Sequence, residues 1–415
     1  MDRIIVRGTG PLEGRVPISG AKNSVLKLMA ATLLCEGRFT IRNVPDITDV
    51  RLMADLLRAM GSEVAYADDV LTIDTPSDTV PEAPYELVEA MRASIVVLGP
   101  LVARLGRAKV SMPGGDDFGR RPVDWHLDAL RRLGVELRTE HGYIEGRAES
   151  LHGARIVLEF PSVGATENAL MAAVLAEGTT VIENAAKEPE LADLAAFLNR
   201  MGANVLGAGS STITIDGVES LHPVDHEVIP DRLEAATFLT ALAIAGGELV
   251  LADARPEHMD MLMQKLGDMG LRTSAHPDGV WASAPGRLQA VDINSLPYPG
   301  VATDYMPLMV AALSVADGAA IATENIFGGR FRYVDELVRM GADIRVEHHY
   351  AIIRGVERLS GAPVKAHDIR AGAALVVAAL GADGESVISD AEHVARGYDR
   401  FVEKLVAVGA DVTAE

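Results

Sequence analysis

Apolar residues fall into two kinds of segment that alternate along this chain. The first is a nearly unbroken run rich in alanine and leucine, as in GAKNSVLKLMAATLL, SVGATENALMAAVLA, PDRLEAATFLTALA and IRAGAALVVAAL. A helix that is apolar on every side predicts burial on every side. The second is a short alternation such as EGTTVIEN or DGAAIATEN, placed where a glycine ends the run. Glycine after an apolar helix is the usual left-handed stop, and alternation with a period of two then reads as a half-buried strand.

This pairing repeats six times. The pattern Leu-x-x-[Met/Leu/Val]-Gly ends at Gly61, Gly134, Gly202, Gly270, Gly341 and Gly409. The helix-stopping glycines recur in step with it at Gly37, Gly106, Gly178, Gly247, Gly318 and Gly384. A period of about 70 residues is too long for a solenoid repeat, so the pattern predicts an α/β (α+β) fold of compact units gathered into one or two closed domains. Single cores stop growing near about 250–300 residues, and the chain has 415, which favours two domains. Pro230 interrupts the rhythm between the third and fourth repeats. The expected first domain is therefore 19–230 and the second is 1–18 plus 231–415, with the N-terminal residues pairing away from the repeat they precede.

Charge and composition narrow the function. A net charge of −21 repels nucleic acid, whose binding needs a dense basic footprint. The longest apolar run, AGAALVVAALGA at 371–382, falls short of the ~18 residues that cross a bilayer, and MDRIIVRGTG lacks a signal-peptide core. The protein is thus expected in the cytoplasm, not inserted in a membrane. The single cysteine, Cys35, makes no internal disulfide and reads as a small buried hydrophobe. No Cys or His cluster has zinc-ligand spacing.

Polar residues recur at the start of the apolar helices: Lys22 and Asn23, Arg92, Ser162, Asp231, Asp304 and Arg370. Helix N-termini carry partial positive charge and unpaired N–H groups, so they hold anions. Ser162, Asp231 and Asp304 equally suit plain capping. Lys22, Arg92 and Arg370 do not, because a cation opposes the dipole at that end. They point to an anionic ligand held in a cleft between the domains.

The segments GAKNSVLKLMAATLL, MRAS, PGGDDFGRRPVDWH, SVGATEN, ENAAKEPE, PDR, TDY, ENIF with Arg330, and RGYDR, in that order, resemble the enolpyruvyl transferases along the whole chain. Among these they are most similar to the members that use UDP-N-acetylglucosamine. The resemblance implies a two-domain inside-out α/β barrel, three repeated units to a domain. It implies transfer of enolpyruvyl from phosphoenolpyruvate to the sugar 3'-hydroxyl by addition and elimination, with release of phosphate, at the first committed step of peptidoglycan synthesis. Neither a metal nor an organic cofactor is implied, nor an obligate protein partner.

By the same resemblance Lys22, Arg121 and Arg396 grip the phosphate, Arg330 and Arg370 hold the carboxylate, and Asn23 contacts the intermediate. Forked guanidinium contacts suit both anions. Asp304 matches the residue that accepts the sugar proton. Arg92, Arg121, Pro122, Val123, Asp124, Trp125, Phe160, Ser162, Val163, Gly164 and Ile326 match positions lining the nucleotide-sugar site. Glu188 and Asp231 match other polar cleft positions, for which an ion-pair role is an equal reading.

Two departures from the family pattern stand out. Most members carry a cysteine, the proton donor alkylated by fosfomycin, directly after the loop glycines; here it is Asp116. A carboxyl donates a proton if its pKa is raised; Asp117 pushes that way, whereas Arg120 and Arg121 push the other. Gly114, Gly115 and Gly119 suit a loop, within 112–124, that closes over substrate. Phe160 stands where many members have lysine. A P-loop is excluded, because GAKN lacks the preceding G-x-x-x-x-G-K-[ST] spacing. The rival readings are transfer to shikimate 3-phosphate or another nucleotide, and a nucleotide-sugar sensor without activity.

Overall fold

The computed structural model describes residues 2–114 and 122–415. They divide into two compact units, one of residues 20–114 and 122–229, the other of residues 2–19 and 230–415. The same plan builds both.

In the unit that starts at residue 20, three helices are buried almost all round: Lys22–Ala31, Leu98–Leu105 and Val163–Ala173. Small residues let them approach. A Cβ on Gly99 would stand 2.5 Å from the carbonyl oxygen of Asn168, so only glycine fits that crossing. The other unit places Arg232–Ala245, Met306–Leu313 and Ile369–Leu380 in the same role, each packed against the other two. A second set of helices is amphipathic, as Thr48–Ala59 and Pro189–Arg200 are, with Asp49 on the first and Glu190 and Asp193 on the second buried beside the apolar face.

Three four-stranded sheets cover the buried helices of each unit, an inside-out α/β arrangement of separate sheets. Each sheet has one parallel edge strand, and in most it comes from the end of the preceding repeat. Arg155–Val157 runs parallel to Thr179–Glu183, which then pairs antiparallel with Thr212–Asp216 and so with Asn204–Leu206. Asp225–Glu227 returns to Gly37–Arg42 and closes the cycle within its unit.

The chain start completes the other unit. Leu12–Pro17 lies parallel to Gly247–Ala252, and Arg3–Arg7 sits antiparallel between Glu385–Ser389 and Asp411–Ala414. The strand missing from the sixth repeat is therefore supplied by the N-terminus. All twelve marker glycines have positive φ, from 66° to 115°. A side chain there strains the backbone by about 1 kcal/mol or more, which explains why sequence period and fold period coincide.

Two helix starts differ from the sequence expectation. Arg92 opens a 3₁₀ turn, Arg92–Val97, and the α-helix begins only at Leu98. Asp304 likewise lies in the 3₁₀ turn Thr303–Tyr305 ahead of Met306–Leu313. The cause is proline in the first helical turn, Pro100 and Pro307, which lacks the N–H needed to extend the α ladder backward.

Candidate active site

The front of the second unit's helices holds the densest group of charges among the sequence-predicted residues. Arg330 Nη1 donates to Asp304 Oδ1 at 2.7 Å, and Arg370 Nε donates to Asp304 Oδ2 at 3.3 Å. The arginine side chains are 2% and 4% exposed, whereas Asp304 is 27% exposed, so the carboxylate bridges two buried cations and still meets solvent. Burial works against both charges. It is outweighed around Arg330 by Asp304, Asp368 and Glu324, and around Arg370 by Tyr398, Asp304 and Asp231, so both pKa values rise and both groups stay cationic.

Local sequence explains how a cation comes to lie at a helix N-terminus. Asp368 caps Ile369–Leu380, its Oδ1 accepting from Arg370 N at 2.8 Å and Ala371 N at 2.9 Å. The cap satisfies the dipole, leaving the Arg370 side chain to turn toward Asp304. The ring of Tyr398 lies 5.1 Å from its guanidinium carbon. Arg370 Nη1 is buried and has no hydrogen-bond partner among the described residues. Arg396, half-buried, ends the short helix Glu392–Ala395 two residues before Tyr398. Asp231 is a helix cap, accepting from Leu233 N at 2.7 Å and Glu234 N at 3.3 Å.

The first unit handles its cations differently. Lys22, buried at the first position of its helix, pairs with buried Asp49 at 2.8 Å. Lys27 pairs with Glu167 at 3.4 Å and donates to the carbonyl of Asn23 at 3.0 Å. Two of the three cations read from the sequence as awaiting a ligand thus already face a carboxylate of their own chain, Lys22 with Asp49 and Arg370 with Asp304. Burial pushes the Glu167 carboxyl up to about 7 despite Lys27. Arg92 is half-buried, its pKa lowered by burial, and Nη2 lies 3.5 Å from the carbonyl of Pro122.

Several of the residues expected to line a nucleotide-sugar site lie in this unit, Ile326 being in the other. Val123 precedes the helix Asp124–Arg132, whose first turn carries Asp124 and Trp125. The rings of Trp125 and Phe160 stack at 5.5 Å and 17°. Ser162 caps Val163–Ala173 by accepting from Ala165 N. A Cβ on Gly164 would stand 2.8 Å from His126 Cε1, which ties that helix start to the aromatic one. Burial, then Arg92 and Lys27, hold His126 down near pKa 3, so its neutral Nδ1 accepts from Asn168 at 3.1 Å. A groove of about 250 Å³ adjoins Trp125, between Asp124–Arg132 and residues 156–159. Glu188 precedes Pro189–Arg200, its carboxylate accepting from Lys187 N at 3.0 Å.

Asp116 and Arg121 lie outside the described residues. Sequence reasoning passed over several groups of this site. Asp368 was legible as an Asp before an apolar run. Arg232, buried with Nη1 3.3 Å from the Tyr305 hydroxyl, and Glu324, buried behind Asp304, carried no spacing signal.

With this geometry in place, likeness to known proteins bears on chemistry. The family described as EPSP synthase (3-phosphoshikimate 1-carboxyvinyltransferase) matches residues 6–405. The chain belongs to this enolpyruvyl transferase family. A Mycobacterium tuberculosis protein named UDP-N-acetylglucosamine 1-carboxyvinyltransferase is 50% identical, over 99% of this chain and 98% of its own. Relatives of the same name from Nocardia farcinica and Myxococcus xanthus are 51% and 47% identical, over 98% and 100% of this chain and 97% and 100% of theirs. The enolpyruvyl transferase NikO from Streptomyces tendae superposes with a TM-score of 0.89 at 28% identity, covering 99% of this chain and 98% of that one. EPSP synthase from Acinetobacter baumannii, at 0.77 and 19% identity over the full length of both chains, shares the fold. Among enolpyruvyl transferases, then, this chain keeps the two-unit architecture. No helix of the described residues is long and apolar enough to cross a membrane.

Proposed function

We propose that this enolpyruvyl transferase moves the enolpyruvyl group of phosphoenolpyruvate to the 3'-hydroxyl of UDP-N-acetylglucosamine and releases phosphate, the first committed step of peptidoglycan synthesis. The observation that carries the reading is Asp304, partly exposed and fixed by two buried arginines. A carboxylate so placed can take the proton of the sugar hydroxyl as its oxygen attacks the donor, and the arginines have the charge and fork geometry for the donor's carboxylate. The unpartnered Arg370 Nη1 is a donor in reserve for it.

In the addition, the sugar oxygen bonds to the central carbon while the methylene carbon takes a proton, which Asp116 supplies. In the elimination, that carbon returns a proton and the C–O bond to phosphate breaks. Lys22, Arg121 and Arg396 neutralise the departing phosphate, Asn23 contacts the tetrahedral intermediate, and the stacked Trp125 and Phe160 with Ser162, Val163, Gly164 and Ile326 bind the nucleotide sugar. Near-50% identity to proteins of that name supports this acceptor over shikimate 3-phosphate.

The test is phosphate release from phosphoenolpyruvate with each acceptor. Release with UDP-N-acetylglucosamine alone is expected; release only with shikimate 3-phosphate, or binding without release, contradicts the proposal. Asp116→Cys should in addition create sensitivity to fosfomycin that the natural chain lacks, because a carboxylate attacks the epoxide far more slowly than a thiolate. Equal inactivation of both forms would refute that role for position 116.

A further inference from the structure

Behind Asp304 lies a carboxylate with no place in the reaction just described. Glu324 follows the strand Ala319–Thr323 and is 2% exposed. Its Oε1 accepts from Ser295 Oγ at 2.7 Å and from the backbone N–H groups of Ile326 at 2.8 Å and Phe327 at 3.0 Å. Its Oε2 accepts from Thr303 Oγ1 at 2.8 Å. Three chain segments thus converge on one buried anion.

The Thr303 contact decides what this anion does. A hydroxyl has one proton, and here it points at Glu324, which leaves the oxygen lone pairs for Arg330. Arg330 Nη1 reaches that oxygen at 3.0 Å and Asp304 Oδ1 at 2.7 Å. Orientation passes from Glu324 through Thr303 to Arg330 and so to Asp304. Thr303 is also the residue that opens the 3₁₀ turn bearing Asp304.

We infer that Glu324 is a positioning residue, which fixes the Thr303 hydroxyl and through it the Arg330–Asp304 pair, while holding the Ile326 backbone on its other oxygen. The inference rests on the proposed reaction at Asp304. An anion is needed because each oxygen must accept. In Glu324→Gln the amide oxygen can keep Ser295, Ile326 and Phe327, but the amide nitrogen then faces Thr303. The hydroxyl must accept from that nitrogen and turn its own proton elsewhere, toward Arg330 or Asp304.

Displacements of about 1 Å at reacting groups cost up to about a hundredfold in rate. Glu324→Gln should therefore lower kcat by roughly tenfold to a hundredfold, with KM for UDP-N-acetylglucosamine within about threefold of wild type, because the Ile326 contact survives. Thr303→Val should lose a similar factor and Thr303→Ser should keep most of the rate. The double variant Glu324→Gln/Thr303→Val should be no slower than the worse single one, as expected of residues acting through one path. Wild-type kcat in Glu324→Gln, equal losses in Thr303→Ser and Thr303→Val, or additive losses in the double variant would overturn the inference. Should Glu324→Gln fail to fold, the two Thr303 variants decide alone. Wild type without turnover would sink the functional proposal along with it; an active wild type with an unimpaired Glu324→Gln sinks this inference only.

Discussion

The two units share one plan, yet they neutralise the cations at their helix fronts in different ways. Around Lys22 the partner is Asp49, 2% exposed, part of the packed interior. Around Arg330 and Arg370 the partner is Asp304, on a proline-delayed turn and partly open to solvent. A buried pair of the first kind contributes by avoiding an unpaired charge, and removing one member is costly. A carboxylate of the second kind can exchange partners with a ligand. A repeated fold thus offers equivalent stations, and the depth of the counter-ion separates a carboxylate fixed in the interior from one open to exchange.

The largest expected effect breaks the structural side of this contrast. Asp49→Asn removes the carboxylate that lies 2.8 Å from buried Lys22 and should lower unfolding free energy by about 3 kcal/mol or more, read from denaturant titration. A loss below roughly 1 kcal/mol would show that the pair is no more than a surface bridge.

Next in size is a pH effect confined to the first unit. Burial lifts the Glu167 carboxyl from 4.5 to about 7. Between those values the folded chain keeps a proton that the unfolded chain has released, so unfolding frees a proton and stability falls as pH rises. Glu167→Gln should remove this loss, which amounts to roughly 3 kcal/mol across the window. Parallel stability profiles for the two proteins from pH 4.5 to 7 would contradict it.

The smallest effect sharpens the binding side. Trp125→Leu removes one ring of the Trp125–Phe160 stack and should weaken UDP-N-acetylglucosamine by about tenfold, near the low end of what base stacking on an aromatic contributes. Calorimetry showing unchanged affinity would place the nucleotide away from this pair.

The repeat architecture was legible because glycine at positive φ marks it twice per repeat, as Gly61 and Gly106 illustrate. Local chemistry fixes such positions, so no long-range contact is needed to read them. Asp304 and Arg370 were legible as polar residues at the starts of apolar helices and Arg330 only through family likeness, but their meeting was not, since residues 26 to 66 positions apart come together through topology that spacing does not encode. Glu324 and Arg232 stand within the quoted segments ENIF and PDR, yet their roles were not legible there. Those roles arise from side-chain convergence in the folded chain. Capping, an equal reading for Asp304 in the sequence, is not its role here for a more local reason: the helix starts past it, at Met306, with Pro307 in its first turn.

The central claim is that Asp304 is held for chemistry and Asp49 for packing. The direct measurement is steady-state phosphate release by Asp304→Asn with phosphoenolpyruvate and UDP-N-acetylglucosamine, alongside its thermal unfolding. The account predicts a fall in kcat of about 10²–10⁴-fold, the range for loss of a general base, with a thermal midpoint lowered less than in Asp49→Asn, because Asp304 is partly open to solvent. A variant that keeps wild-type turnover, or that unfolds as readily as Asp49→Asn, would contradict it.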